Sequence, residues 1–207
     1  MSISFVAGLG NPGREYEGTR HNLGWIVLDA FARQRELTWK RETRFDAETA
    51  RWDAHGRSFI LVKPQSFMND SGRPLRQLAS FYKVPTTAIT VAYDEIAVEL
   101  GQVKVSVSGS AGGHNGVASL LEHLGDGFSR YRLGIGPKLP PQIDIKDFVL
   151  GTFTLEQRHL LTQKLDRLVA GLALLLIEGP DRAMNQLNRR DKHESDQTQL
   201  PRDLHPG

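Results

Sequence analysis

Cysteine is absent from all 207 residues. That excludes disulfides, thiolate nucleophiles, iron–sulfur clusters and cysteine-type zinc sites, and it leaves the chain at ease in a reducing compartment. Long apolar runs are missing as well. The longest, 172–177 with 168–170 just before it, is far short of the roughly 20 residues that span a bilayer. The opening M-S-I-S-F-V-A-G has no charged stretch ahead of its apolar residues and does not read as a signal peptide, so the expectation is a cytoplasmic protein without membrane contact. An excess of one charge is also lacking: 26 Lys and Arg stand against 24 Asp and Glu. A net charge of +2 tolerates nucleic acid without demanding it.

What is present is ordinary globular material, 39% hydrophobic and 24% charged, which rules out disorder as the main state. At roughly 100–200 residues per domain the chain makes one generous domain or two small ones. Apolar stretches at 3–9 and 89–93 and the run 131–135 read as buried strands, while 46–52, 58–62 and the alternating Val103, Val105 and Val107 supply further strands. Helical spacing marks 22–34, 71–82, 117–124 and, longest of all, 155–178. Strands and helices interleave with no linker and no repeat. The expected fold is a single α/β domain, a mixed twisted β-sheet flanked by helices with a long C-terminal helix, over residues 1–188. Residues 189–207 are polar and proline-containing and read as a flexible tail. Five basic residues (Arg33, Arg35, Lys40, Arg41, Arg44) with Trp39 among them can hold phosphates, or form a solvated helix end and loop.

Four segments carry chemistry. G-L-G-N-P-G at 8–13 matches the G-x-G-x-x-G dinucleotide fingerprint, but Pro12 lacks an N–H for a phosphate, Arg14-Glu15-Tyr16 is no apolar helix face, and Asp29 falls inside a helix instead of ending a second strand. The segment instead displays Asn11, Tyr16 and then T-R-H-N at 19–22, where His21 has the side chain best suited to proton transfer near neutrality and Asn22 reads equally as a helix cap. S-F-M-N-D-S-G at 66–72 presents Asn69 between a strand and a helix that Ser71 is expected to cap. Asp94 follows I-T-V-A-Y at the expected end of a buried strand, where open α/β sheets place functional groups, with Glu95 read as solvated. G-S-A-G-G-H-N-G at 109–116 presents His114 and Asn115 at a helix entrance; Ser110 is no nucleophile elbow, because position 108 is Ser and no strand leads into it. The seven histidines show no H-x-x-x-H or comparable spacing, so no metal and no cofactor is expected. Histidine, a strand-end aspartate and three displayed amides suit general-base activation of water and hydrolysis of an activated ester.

Taken together, G-L-G-N-P-G-x-x-Y-x-x-T-R-H-N, S-F-M-N-x-S-G, a strand-end D-E, G-G-H-N-G, R-L-G-I-G at 132–136 and F-V-L-G at 148–151 resemble bacterial peptidyl-tRNA hydrolase over about residues 3–188. The resemblance implies a monomeric, metal-free esterase that acts on the CCA end and acceptor stem of peptidyl-tRNA. It makes His21 the general base, Asp94 its orienter, Asn11 and Asn69 the holders of the peptidyl part, and Asn115, with His114 beside it, the holder of water or oxyanion. It sets Tyr16 and Phe67 along the channel for the terminal adenosine and peptide, and Arg132 on a tRNA phosphate. Three positions depart from the family pattern: Ser106 stands where members carry a phosphate-binding lysine, which Lys104 two residues earlier on the same strand face is placed to replace; Ala97 stands at a usual acidic position; and Ala111 replaces an additional histidine. The Ser106 departure leaves room for a second reading, a non-catalytic RNA-binding homologue of the splicing-factor kind, against which the complete His21, Asp94 and asparagine set stands.

Overall fold

The computed structural model describes residues 2–189, so the tail expected over 189–207 lies, after its first residue, outside the described residues. Seven strands form one mixed sheet: β1 Ile3–Gly8, β2 Lys40–Glu42, β3 Ala47–Ala54, β4 Arg57–Pro64, β5 Ile89–Glu99, β6 Val103–Ser106 and β7 Ser129–Gly136, in the order β2-β3-β4-β1-β5-β7-β6. The four inner strands β4, β1, β5 and β7 run parallel, while β2, β3 and β6 add antiparallel edges.

Alternation along the inner strands divides the apolar residues between two faces. Val6, Phe59, Leu61 and Ala92 pack under α1 Leu23–Gln34 and α5 Leu155–Glu178. Phe5, Ala7, Ile60, Val62 and Val91 pack under α2 Gly72–Tyr82 and α3 Asn115–Leu124. Both faces are covered, which is why the inner strands read as apolar runs instead of alternating ones. Buried Tyr131 of β7 donates its hydroxyl to the Leu168 carbonyl of α5 at 2.7 Å, tying sheet to helix.

The long helix keeps its expected bounds, fixed by a capping box in which Thr154 and Gln157 satisfy each other's backbone N–H groups. Two α-helices were not anticipated, α4 Ile145–Leu150 and α6 Pro180–Leu187. Asn188, just past α6, exchanges two hydrogen bonds with the backbone of Val105 on edge strand β6. The expected cap at Ser71 is not formed. Ser71, at the N-cap position, already has helical backbone angles, and its hydroxyl donates back to the Met68 carbonyl at 2.9 Å. The first N–H of α2, on Gly72, instead donates to Ser119 Oγ of α3 at 3.0 Å. A Cβ on Gly72 would overlap the Ser119 carbonyl group, so glycine permits the close approach of these two helices.

Candidate active site

The connections after β1 and β4 leave for opposite faces of the sheet, α1 on one and α2 on the other, which opens a crevice outside the carboxyl ends of the inner strands. Arg20–Asn22 form a single 3-10 turn ahead of α1. Asn22 does not cap the helix. Its Oδ1 accepts from Asn11 N–H at 2.9 Å and its Nδ2 donates to the Asn11 carbonyl at 3.0 Å, so it staples the glycine turn to the histidine turn. A Cβ on Gly24 would lie 2.6 Å from both the N and the O of Leu9, and closer still to the Ala92 carbonyl. With glycine there, the first turn of α1 rests directly on Leu9, just past β1, and on Ala92 within β5, and His21 arrives beside Asp94.

Asp94 is not at the end of its strand. β5 continues to Glu99, and Asp94 marks where its burial ends, just before the pairing with β7 slips between Glu95 and Glu99. Its Oδ1 accepts from His21 Nδ1 and from His114 Nε2, both at 3.0 Å, and its Oδ2 lies 3.1 Å from His21 Nδ1. His114 is the N-cap of α3, with Nδ1 accepting from the backbone N–H groups of Gly116 and Val117 at 3.1 and 3.3 Å. A ring nitrogen that accepts carries no proton, so the proton of neutral His114 is on Nε2 and points at Asp94. Burial alone would push the Asp94 carboxyl up, but the two histidines outweigh it and hold the group well below the usual carboxylate range. Facing a carboxylate, His21 Nδ1 is the donor, and its Nε2 lone pair is left for the cavity that His21 lines.

His21, Asp94 and His114 place three ligand-type atoms within 4.8 Å of one another, a grouping that the spacing 21, 94, 114 could not reveal. The hydrogen bonds do not fit a cation there. His114 Nε2 can coordinate only by losing its proton, which means either an imidazolate or the loss of both cap bonds at Nδ1. The trio is built to hold protons.

The cavity, about 270 Å³, is lined by His21 and all three asparagines singled out from the sequence. Asn11 Oδ1 accepts from Met68 N–H at 2.7 Å, so only its amide N–H₂ remains to meet a ligand. The exposed side chains of Asn69 and Asn115 have no hydrogen-bond partner among the described residues and can donate or accept. Tyr16 and Phe67 meet edge to face, ring centroids 6.2 Å apart, and Phe67 is 56% exposed. Asp94 and His114 stand behind His21 and do not line the cavity.

Sequence reasoning missed one wall. Lys146, Val149 and Leu150 of α4 complete the cavity, at the i, i+3, i+4 spacing of one helix face. Asp144 caps that helix, accepting from Lys146 N–H at 2.8 Å, and D-I-K-D-F-V-L was the signal available. Arg20, inside the T-R-H-N motif, ties this wall to the histidine turn. Its guanidinium donates to the Phe148 carbonyl at 3.1 Å and to Gln157 Oε1 at 2.8 Å, and it lies 4.5 Å over the Phe148 ring.

Arg132 and Lys104 are not among the residues lining the cavity. They sit directly opposite each other across β6 and β7, on one face of the sheet edge. Glu95, expected to be solvated, instead takes Arg132: Nε and Nη2 both donate to its Oε2, at 3.0 and 2.8 Å. Lys104 is exposed. Ser106 faces Arg130 across the same pair of strands, and its buried hydroxyl has no partner among the described residues. The basic stretch at 33–44 is largely occupied locally: Arg35 stacks 3.6 Å over Phe31, Arg41 pairs with Asp46 at 3.2 Å, and Arg44 covers Phe45 and Phe81.

With this geometry in hand, comparison with known proteins is specific. The peptidyl-tRNA hydrolase family model matches residues 5–196. A peptidyl-tRNA hydrolase of Gloeobacter violaceus is 39% identical over 191 residues, 92% of this chain and 96% of that protein. One of Desulfitobacterium hafniense is 40% identical over 188 residues, covering 90% of this chain and all (100%) of its own. Among solved structures, the peptidyl-tRNA hydrolase of Acinetobacter baumannii at 1.00 Å superposes with a TM-score of 0.82 at 33% identity, over 90% of this chain and 94% of the other. A peptidyl-tRNA hydrolase complexed with n-propanol gives a TM-score of 0.83 at 33% identity, over the same shares of the two chains.

Proposed function

The chain belongs to the peptidyl-tRNA hydrolase family, and from that premise we propose the role of each residue as it hydrolyses the ester between peptide and tRNA. One observation carries the mechanism: a buried carboxylate takes His21 Nδ1 as its donor, which leaves the Nε2 lone pair of the neutral imidazole to the cavity. Nε2 takes a proton from a water held by Asn115, and the hydroxide attacks the ester carbonyl. Negative charge develops on the carbonyl oxygen as the imidazolium forms, and Asp94 stabilises that cation without itself taking the proton. The Asn11 amide N–H₂, which cannot turn round because Met68 N–H holds its oxygen, donates to the peptidyl part or the oxyanion, with Asn69 beside it. Collapse expels the ribose oxygen of the terminal adenosine, which recovers the proton from His21.

Tyr16 and Phe67 offer flat apolar surface to the terminal adenosine and the first peptide side chain. Arg132 and Lys104 contact acceptor-stem phosphates, a grip that suits a hydrolase serving many tRNAs because it reads no base sequence. The enzyme works as a cytoplasmic monomer, and residues 1–188 carry the whole reaction. Hydrolysis of N-acetylaminoacyl-tRNA in EDTA by wild type and by His21→Ala tests this. Chelator-resistant turnover that drops about 10²–10⁴-fold in the variant, with tRNA affinity kept, is the expected result. Loss of affinity in place of turnover would make His21 a contact residue and end the reading.

A further inference from the structure

Apart from His21, the cavity wall carries a single ionisable cation, Lys146; the other lining groups are amides, aromatic rings and aliphatic side chains. Lys146 is exposed, and its ammonium has no hydrogen-bond or ion-pair partner among the described residues. Its backbone is nevertheless fixed. Asp144 caps the helix at Lys146 N–H, and Arg20 grips the Phe148 carbonyl two residues on. Val149 and Leu150 lie on the same helix face, so the charge is set at the edge of an otherwise neutral wall.

A fixed backbone holding an uncommitted cation beside a reaction centre is a subsite for an anion. Resting on the reading of this cavity as the peptidyl-tRNA ester site, we propose that Lys146 binds the phosphate on the 5′ oxygen of the terminal adenosine. That phosphate is the anion nearest the reaction, because it sits on the same ribose that carries the ester. The contact is sequence-independent, since every tRNA presents this phosphate at the same distance from its 3′ end. It sets the ester against His21 in a way that Arg132 and Lys104, on a separate sheet edge, do not. As a point charge on a flexible stem, a lysine suits a single phosphate oxygen that must be released after each turnover.

The experiment compares two minimal substrates, the N-acetylaminoacyl ester of adenosine and that of adenosine 5′-methylphosphate, by kcat/KM under enzyme excess. Wild type is expected to prefer the phosphorylated ester by about tenfold, the scale of one partly exposed charge-assisted hydrogen bond. Lys146→Gln should abolish that preference and Lys146→Arg restore most of it, with unchanged thermal unfolding confirming that both fold. On full N-acetylaminoacyl-tRNA, Lys146→Gln should also lower the log–log salt slope of KM by about 0.7, as one single-strand phosphate contact requires. A preference that survives Lys146→Gln, or a wild type that cuts both esters equally while cleaving the tRNA, overturns the proposal alone. A wild type that cleaves neither the esters nor the tRNA removes the reading of the cavity, and this subsite with it.

Discussion

Asp94→Asn exchanges one oxygen of a buried group for an amide nitrogen, and the hydrogen-bond geometry says what must follow. His114 can only donate to position 94, because its Nδ1 is occupied as the acceptor of two backbone N–H groups. The asparagine oxygen is therefore drawn to the site now held by Oδ1, 3.0 Å from His114 Nε2. Its N–H₂ then takes the Oδ2 position, 3.1 Å from His21 Nδ1. The oxygen also stays 3.0 Å from Nδ1, but it is now a neutral acceptor shared with His114, and the facing amide N–H opposes a proton on Nδ1, so His21 moves its proton to Nε2 and turns Nδ1 into an acceptor. The lone pair facing the cavity disappears.

The cost follows directly. A general base contributes about 10²–10⁴ to the rate, or roughly 3–5.5 kcal/mol of barrier, and a ring in the wrong tautomer contributes none of it. Asp94→Asn should therefore fall to within about tenfold of His21→Ala. Without His114 the amide would simply keep holding the imidazole, and an intermediate loss would follow, which is the expectation the sequence alone supports. Single-turnover hydrolysis of N-acetylaminoacyl-tRNA reads the rate, and ¹⁵N shifts of the His21 ring read the tautomer. A variant that keeps more than a tenth of wild-type activity, or a His21 still protonated at Nδ1, refutes the reasoning.

Other perturbations test other parts. Arg20→Ala removes two hydrogen bonds and the stacking on Phe148 from a buried side chain, and should cost about 2–4 kcal/mol in urea unfolding while raising KM as the α4 wall loosens; an unchanged KM would separate Arg20 from the site. Tyr131→Phe removes the hydroxyl that adds a second bond to the helical Leu168 carbonyl and should cost about 1 kcal/mol with kcat unaffected, read by melting and by turnover. Glu95→Gln releases Arg132, so tRNA should bind a few-fold tighter and with a steeper salt dependence; equal affinity would show that Arg132 meets no phosphate. Because the Asp94 carboxyl is held below its ordinary range, its share of stability is complete above about pH 4 and is lost as pH falls from there toward the folded-state value. The stability gap between wild type and Asp94→Asn should accordingly narrow below pH 4, and a gap that stays constant down to pH 3 would contradict the assignment.

The inner strands and the large helices were legible because burial on both faces writes continuous apolar runs and amphipathic stripes into the sequence. Leu155–Glu178 even kept its bounds, since Thr154 and Gln157 are a capping box that periodicity and cap chemistry mark together. What escaped was set by contacts distant in sequence. β2 is three residues long and pairs only with β3. The six residues of α4 have one buried side chain, Phe148, too few for an apolar stripe, and that helix is held by Arg20 from 128 residues away. Ser71 looked like a cap because serine before a helix usually is one, yet tertiary contact prevailed when Ser119 of α3 reached the Gly72 N–H first.

The site divides in the same way. His21 and the three asparagines could be named from their residue types near glycine turns, since those turns exist to expose side chains, and Asp94 from its place after the apolar run I-T-V-A-Y. Their division of labour could not, because it depends on which atom of each side chain is already taken. Asn11 is a donor only because Met68 N–H claims its oxygen, and His114 is a donor to Asp94 only because α3 begins beneath its ring. Glu95 stops being a solvated neighbour once β5 and β7 bring Arg132 against it. In each case a backbone or side-chain bond made by the fold removes one of two protonation or rotamer choices. The chemistry left to the cavity is what those bonds do not consume: among the described residues, one imidazole lone pair, one fixed amide donor, two free amides and one unpaired ammonium.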